Sequence, residues 1–83
     1  MYKKEVEFEG VIVGFELAPR FENRKAVYLQ GSYNGESAGF YVLVPDNIYE
    51  RLISMGVGIM ISGRGSVVSR EPIVIDASMI QGG

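Results

Sequence analysis

The segment APRFENRKAVYLQG combines positive charge with aromatic rings. It contains Arg20, Arg24 and Lys25, three of the eight basic residues of the chain, beside Phe21 and Tyr28. Cationic side chains neutralise phosphates and aromatic rings stack on unpaired bases, so this combination is typical of surfaces that bind single-stranded nucleic acid. A solvated loop that leads into a strand has a similar composition.

The residue types that are missing disfavour several kinds of chemistry. The sequence has no cysteine and no histidine, which removes thiolate nucleophiles, disulfides and the commonest metal ligand and general base. Glu5, Glu7 and Glu9 alternate along the chain, as on a solvated strand face. The segments GVIVG and GRGSV lack the Lys-Ser/Thr and the helix of a phosphate-binding loop. We therefore expect no enzymatic activity, no metal and no cofactor.

Length and charge limit the kind of surface that the chain can build. Eighty-three residues form one domain with a single core. Because the formal net charge is -2, any affinity for nucleic acid must come from a local basic patch. No apolar run of a signal peptide follows MYKKEVEFEG, and no stretch is suited to span a membrane. These features predict a cytoplasmic protein.

A hairpin is predicted where YNGE joins the segments KAVYLQGS and SAGFYVLV. Asn-Gly is the strongest short hairpin signal, because both residues tolerate positive φ. The two-residue turn sets the register, so that Leu29 faces Phe40 in the core. The same register places Tyr28 opposite Tyr41 on the outer face.

The first strand is predicted to bend at Gly10. Before this glycine Val6 and Phe8 alternate with glutamates, and after it the odd positions 11, 13, 15 and 17 carry apolar residues. Such a one-residue change of phase is the signature of a β-bulge. On this interpretation Ile12 lies on the outer face.

The segment PDNIYERLISMG predicts a short helix. Asn47 and Glu50 have the spacing of a capping box, and Gly56 is suited to end the helix. The apolar side of this helix, expected to cover an open end of the core, consists of Ile48, Leu52 and either Ile53 or Met55. Alternation in GIMISGRGSVVS and PIVIDASMI predicts the fourth and fifth strands.

The predicted element order is three strands, a helix and two strands, and closure into a barrel removes the sheet edges of so short a chain. With its bent first strand, the helix PDNIYERL, the segment GVGIMISGRG and the closing IVIDASMI, the sequence resembles the OB-fold over residues 1–83. The expected fold class is all-β, a five-stranded OB-fold barrel with one short helix between strands 3 and 4. The chain is most similar to small single-domain single-stranded-DNA-binding proteins of bacterial, plasmid or phage type, without the acidic tail that many of them carry.

This resemblance implies a binding face. In such OB-folds nucleic acid lies across strands 2 and 3 and contacts the loops between strands 1 and 2 and between strands 4 and 5. The implied phosphate ligands are Arg20, Arg24, Lys25, Arg64 and Arg70, and the implied stacking residues are Tyr28 and Tyr41. The expected partner is single-stranded DNA, or RNA, bound without sequence specificity by a homo-oligomer and away from membranes.

Two other functions stay open. An OB-fold can serve as a protein-interaction module or oligomer subunit without binding nucleic acid, here through Ile12, Leu43 and the two tyrosines. Such a contact would not weaken steeply with salt, whereas a nucleic-acid contact would. A more remote alternative is a ubiquitin-like sulfur carrier ending in Gly82-Gly83, although that fold places its helix after two strands. Each tyrosine and basic residue is also compatible with an ordinary strand or loop surface.

Overall fold

The structure, a computed structural model, describes residues 5–18 and 24–82. Its elements are β1 (Glu5–Ala18), β2 (Arg24–Tyr33), β3 (Glu36–Leu43), α1 (Asp46–Met55), β4 (Met60–Arg70) and β5 (Ile73–Gly82). The strands close into a barrel in the order β1-β2-β3-β5-β4, with β4 returning to β1. All neighbours are antiparallel except β3 and β5. The predicted fold class, an all-β five-stranded barrel with a short helix between β3 and β4, is confirmed, and the architecture is compatible with the OB-fold.

The β2–β3 hairpin has the predicted register. The two residues of its Asn-Gly turn have φ values of 50° and 84°, which give the turn a twist that matches the flanking strands. Leu29 pairs with Phe40, and Tyr28 pairs with Tyr41. Because successive side chains alternate between faces, Leu29 and Phe40 are fully buried in the barrel, whereas the tyrosines are half-buried on the outside.

One apolar core fills the barrel. Each strand and the helix contribute to it, through side chains that include Phe8, Leu29, Phe40, Leu52, Ile61 and Ile75. The ring of Phe40 lies edge-on to those of Phe8 and Tyr33, with centroid separations of 6.1 and 5.6 Å. Burial of each such side chain contributes about 1.5–3 kcal/mol, so this cluster is the main source of stability.

The bend in β1 lies at Val13, and the prediction of a bulge at Gly10 is wrong. The inward-facing positions continue through Gly10 to Ile12. Ile12 is fully buried in the barrel and does not lie on the predicted outer face. The register with β2 shifts between Ile12 and Gly14, and Phe15 then packs against the core. The extra residue at Val13 therefore changes the phase three positions later than predicted.

Close approach of two strands accounts for the glycine at position 10. A Cβ on Gly10 would lie 3.0 Å from the Gln30 carbonyl oxygen and 3.2 Å from the Leu29 Cβ. These distances are shorter than ordinary van der Waals contacts. Gly10 therefore lets β1 pack closely on β2 without a bend.

The helix begins two residues earlier than a capping box of Asn47 and Glu50 would require. Its first residue is Asp46, preceded by Pro45 with φ -66° and ψ 160°, and no side chain caps the helix. The predicted capping box of Asn47 and Glu50 is therefore wrong. The predicted end is confirmed, because Gly56 has φ 92° and donates its N–H to a helix carbonyl at 2.9 Å.

The helix packs through two of the predicted residues and through Tyr49 in place of Ile53 or Met55. Leu52 is fully buried, and Ile48 and Tyr49 pack against the core. Ile53 and Met55 are exposed. Among the described residues, no helix is long and apolar enough to cross a membrane.

Candidate nucleic-acid interface

Two tyrosines from adjacent strands form an aromatic pair on the outer face of the hairpin. The ring centroids of Tyr28 and Tyr41 are 4.9 Å apart and the ring planes meet at 61°. An edge-to-face contact of this kind contributes about 0.5–1.5 kcal/mol beyond area burial. Both predicted stacking residues, hereafter the tyrosine pair, thus lie together on one half-exposed surface.

Two glycines leave room around the tyrosine pair. Gly14 of β1 pairs with Tyr28, and a Cβ built on this glycine would have no atom within 4 Å. Gly39 of β3 lies two positions before Tyr41, and the phenol end of Tyr28 occupies the place of its missing side chain. Glycines within strands mark points where another group approaches closely. The ring of Tyr28 therefore rests on Gly39 and borders open space over Gly14.

The tyrosine pair lines an open depression of about 490 Å³, hereafter the tyrosine depression. Its other lining residues include Glu16 of β1 and, at the turn from β4 to β5, Arg70, Glu71, Pro72 and Ile73. The Ser69 hydroxyl donates to the Pro72 carbonyl oxygen at 2.7 Å and stabilises this turn. The volume falls within the range of about 300–1,000 Å³ that is common for small-molecule sites.

A hydrogen bond links Tyr41 to β1 across the intervening strand. The Tyr41 hydroxyl donates to Glu16 Oε1 at 3.4 Å. Desolvation by burial raises the pKa of Tyr41 above its ordinary value, and the charge of Glu16, this hydrogen bond and the neighbouring Tyr28 raise it further. Tyr41 therefore stays protonated at neutral pH and directs its proton to Glu16.

Three of the predicted phosphate ligands form ion pairs within the protein. The pairs are Arg24–Asp76 at 3.2 Å, Lys25–Asp46 at 3.7 Å and Arg64–Glu7 at 2.9 Å. Ion pairs between partly exposed groups contribute about 1 kcal/mol or less. These pairs therefore add little stability, but they neutralise cations that a nucleic acid would otherwise contact.

The predicted basic residues are not gathered around the tyrosines. Arg70 lines the tyrosine depression, but Arg64 lines a separate depression. The Lys25 ammonium lies 5.4 Å from the ring centroid of Tyr49 on the helix. Arg20 and Phe21 lie outside the described residues.

Next to the tyrosine pair, part of the outer face of the sheet is covered by apolar side chains. A second buried cluster consists of Ala26, Leu43 and Val74, with Tyr41 and Val68 packed against it. Because Leu43 and Ile12 are both fully buried, the predicted subunit contact through these two residues is wrong.

The separate depression is larger, at about 710 Å³, but its charge does not suit phosphate. Glu5, Glu7 and Glu9 line it together with Arg64. Glu7 pairs with Arg64, and Glu5 accepts a hydrogen bond from Ser78 at 3.0 Å. Carboxylates outnumber cations here and would repel a nucleic-acid backbone. Within residues 5–18 and 24–82, no group of three or more acidic side chains is placed to hold a metal ion.

Glu16, Gly14 and Gly39 border the tyrosine pair but are not among the predicted site residues. Gly39 shares the outward phase of Tyr41 two positions away, so the hairpin register contained a signal for it. The predicted change of phase already puts Gly14 and Glu16 on the outer face, but their position next to the tyrosines depends on the register of β1 with β2, which the sequence pattern does not specify.

Comparisons of the chain with protein-family models, with curated proteins and with solved structures each gave no match. The geometry of the tyrosine pair and of the depression that it lines is therefore the guide to function.

Proposed function

We propose that this protein binds single-stranded nucleic acid, with single-stranded DNA as the preferred form, by stacking bases on the tyrosine pair. The observation that carries the proposal is the pair itself, two half-exposed rings 4.9 Å apart that line an open depression. Stacking on an aromatic side chain contributes about 1–3 kcal/mol per base and accepts any base. Two stacked bases would therefore contribute about 2–6 kcal/mol to binding without any reading of the sequence.

Charge makes a smaller contribution in this proposal than in strongly basic domains. Arg24, Lys25 and Arg64 are each neutralised by a carboxylate, so a phosphate must displace that carboxylate to gain a contact. Arg70 is the cation that lines the tyrosine depression among the described residues. With one or two phosphate contacts, the logarithm of the affinity falls with the logarithm of salt concentration by about 0.7 per contact.

The test is fluorescence polarisation of a labelled single-stranded oligonucleotide at low and moderate salt, with duplex DNA and single-stranded RNA alongside. We expect the wild type to bind single strands and the Tyr28→Ala, Tyr41→Ala double variant to lose this binding. The Tyr28→Phe, Tyr41→Phe double variant is the matched control, because it keeps both rings. Absence of wild-type binding at low salt would overturn the proposal.

A second candidate function is contact with a protein partner, including another copy of the chain. Val13, Val57 and Met60 are 51, 64 and 55% exposed. The Ile12 N–H donates to the Ile59 carbonyl oxygen at 2.9 Å, which places these apolar residues along the same strand junction. Apolar groups exposed next to one another favour protein contacts.

This second candidate is tested by the mass of the protein in solution over a range of concentrations. If copies associate through these residues, the mass rises with concentration, and Met60→Lys lowers it to that of a single chain. Glu50→Lys, an exposed change on the helix, is the control for added positive charge. A mass of one chain at every concentration would exclude self-association.

The sulfur-carrier interpretation has less support. A ubiquitin-like order requires the helix after two strands, whereas α1 follows three. Gly82 pairs with Ile61 inside β5, so this glycine belongs to the sheet.

A further inference from the structure

One side of the tyrosine depression presents hydrogen-bond acceptors. Glu16 lines this side and accepts the Tyr41 hydroxyl through Oε1 at 3.4 Å. A carboxylate offers about four lone-pair sites on its two oxygens. Within the part of the chain that the structure describes, Tyr41 is the donor that reaches this carboxylate.

The Tyr41 hydroxyl is also an acceptor toward a ligand. Its proton is directed to Glu16, and its raised pKa keeps that proton in place at neutral pH. The remaining polar capacity of the oxygen is a lone pair. A ligand that stacks on the tyrosine pair and reaches this side therefore meets acceptors and must supply donors.

Guanine is the standard base whose edge matches a carboxylate best. Its N1–H and N2 amino group are adjacent donors and can form two parallel hydrogen bonds with one carboxylate. Adenine and cytosine place a ring nitrogen acceptor beside their amino group, and thymine and uracil place a carbonyl on either side of N3–H. For those bases the second carboxylate oxygen would meet another acceptor.

The neighbouring edge of guanine, which carries O6 and N7, matches a second residue of the depression. Arg70 lines the same depression as Glu16. A guanidinium forms paired hydrogen bonds with O6 and N7 of guanine, the commonest specific contact between proteins and DNA bases. A carboxylate and a guanidinium around one aromatic surface are thus complementary to the donor edge and the acceptor edge of the same base.

We propose that Glu16 makes the tyrosine depression selective for a guanine base within the bound single strand. This inference rests on the proposed function and refines it. Stacking accepts any base along the strand, whereas the nucleotide beside Glu16 is preferentially guanine. The strand therefore binds in one preferred register wherever it contains a guanine.

The test uses labelled thymine oligonucleotides that carry one central guanine, one central hypoxanthine or no substitution. A single guanine avoids association between strands. We expect the guanine oligonucleotide to bind about tenfold more tightly than all-thymine, as for one good bidentate pair. Hypoxanthine lacks the N2 amino group, so its oligonucleotide should fall between the two.

Glu16→Gln is the decisive variant, because the amide keeps the shape of the side chain and can still accept from Tyr41. It replaces one acceptor oxygen by a donor nitrogen, so the guanine preference should fall to about twofold or less, while all-thymine binding is kept or strengthened. Glu50→Gln removes one negative charge from the exposed surface of α1 and should leave the preference unchanged.

Each alternative outcome identifies which idea fails. Equal wild-type binding of the guanine and all-thymine oligonucleotides overturns the guanine proposal and leaves the proposed function intact. Failure of every oligonucleotide to bind overturns the proposed function itself. An unchanged preference in Glu16→Gln shows that another residue reads the base. Competition by free guanosine monophosphate as effective as that of the oligonucleotide shows that the ligand is a free nucleotide, which overturns the role of the strand.

Discussion

The β2–β3 hairpin carries an aromatic contact on each face, and the two contacts have opposite surroundings. On the inner face Phe40 is fully buried and lies edge-on to Phe8 and Tyr33. On the outer face Tyr28 and Tyr41 contact each other with one side open. The same residue class, one position apart along β3, therefore stabilises the barrel on one face and remains available to a ligand on the other.

The largest expected effect is the loss of stability when an aromatic ring is removed from the inner face of the hairpin. Phe40→Ala should lower the free energy of unfolding by about 3–5 kcal/mol, because it removes a ring from the centre of the core. A loss of this size is a large part of the stability of a small domain. Urea unfolding measures it, with Phe40→Leu as the milder control. A loss below about 1 kcal/mol would contradict the position of Phe40 at the centre of the core.

The outer pair should show the reverse pattern. The Tyr28→Ala, Tyr41→Ala double variant loses one cross-strand aromatic contact, which contributes about 0.5–1.5 kcal/mol beyond area burial. Its affinity for a single strand should fall by about 1–3 kcal/mol for each stacked base. The same urea and polarisation measurements test both values. A stability loss as large as that of Phe40→Ala would show that the outer rings are structural.

Alanine substitutions at the two glycines next to the tyrosine pair should change the stability of the fold in opposite directions. Ala at position 39 would overlap the phenol end of Tyr28, so Gly39→Ala should cost about 1–3 kcal/mol of stability and displace that ring. Gly14→Ala meets no atom within 4 Å and should stabilise the fold by about 0.4–1 kcal/mol. If ligand occupies the space over Gly14, this second variant is more stable but binds more weakly.

The smallest expected effect is the alkaline titration of Tyr41. Its pKa is raised in the folded protein above the value of about 10 in the unfolded chain. Between these two values the native state binds more protons, so the contribution of Tyr41 to stability is complete below pH of about 10 and is lost as pH rises through the folded pKa. The tyrosinate absorbance of the wild type should contain a late step that is missing in Tyr41→Phe.

The Glu16→Gln variant tests how much the charge of Glu16 contributes to the raised pKa of Tyr41. Removing the negative charge should lower the pKa of Tyr41, while the part of the shift due to desolvation is kept. An unchanged titration in Glu16→Gln would contradict the contact between Glu16 and Tyr41 that the guanine proposal uses.

Local patterns predicted the register of the hairpin correctly and the position of the bulge in β1 incorrectly. A local pattern is reliable only where it permits a single arrangement of the strand. Asn-Gly sets a two-residue turn, and the turn alone sets the pairing of Tyr28 with Tyr41. In β1 the segment VIVGF is apolar in both phases, so the period-two pattern does not locate the bulge. Ile12 therefore lies on the opposite face from the one predicted. Gly14 and Glu16 keep their predicted outward phase, and their position beside the tyrosines depends on the register of β1 with β2.

The sequence by itself determined the element order and the placement of two tyrosines side by side, because these follow from short-range periodicity and turn chemistry. Tertiary structure alone decided which cations are neutralised, since Arg24 of β2 meets Asp76 of β5, and Arg64 of β4 meets Glu7 of β1, only in the closed barrel. It also brought Glu16 and Arg70 to one depression from opposite ends of the chain. Contacts between residues this far apart depend on barrel closure, which no local pattern specifies.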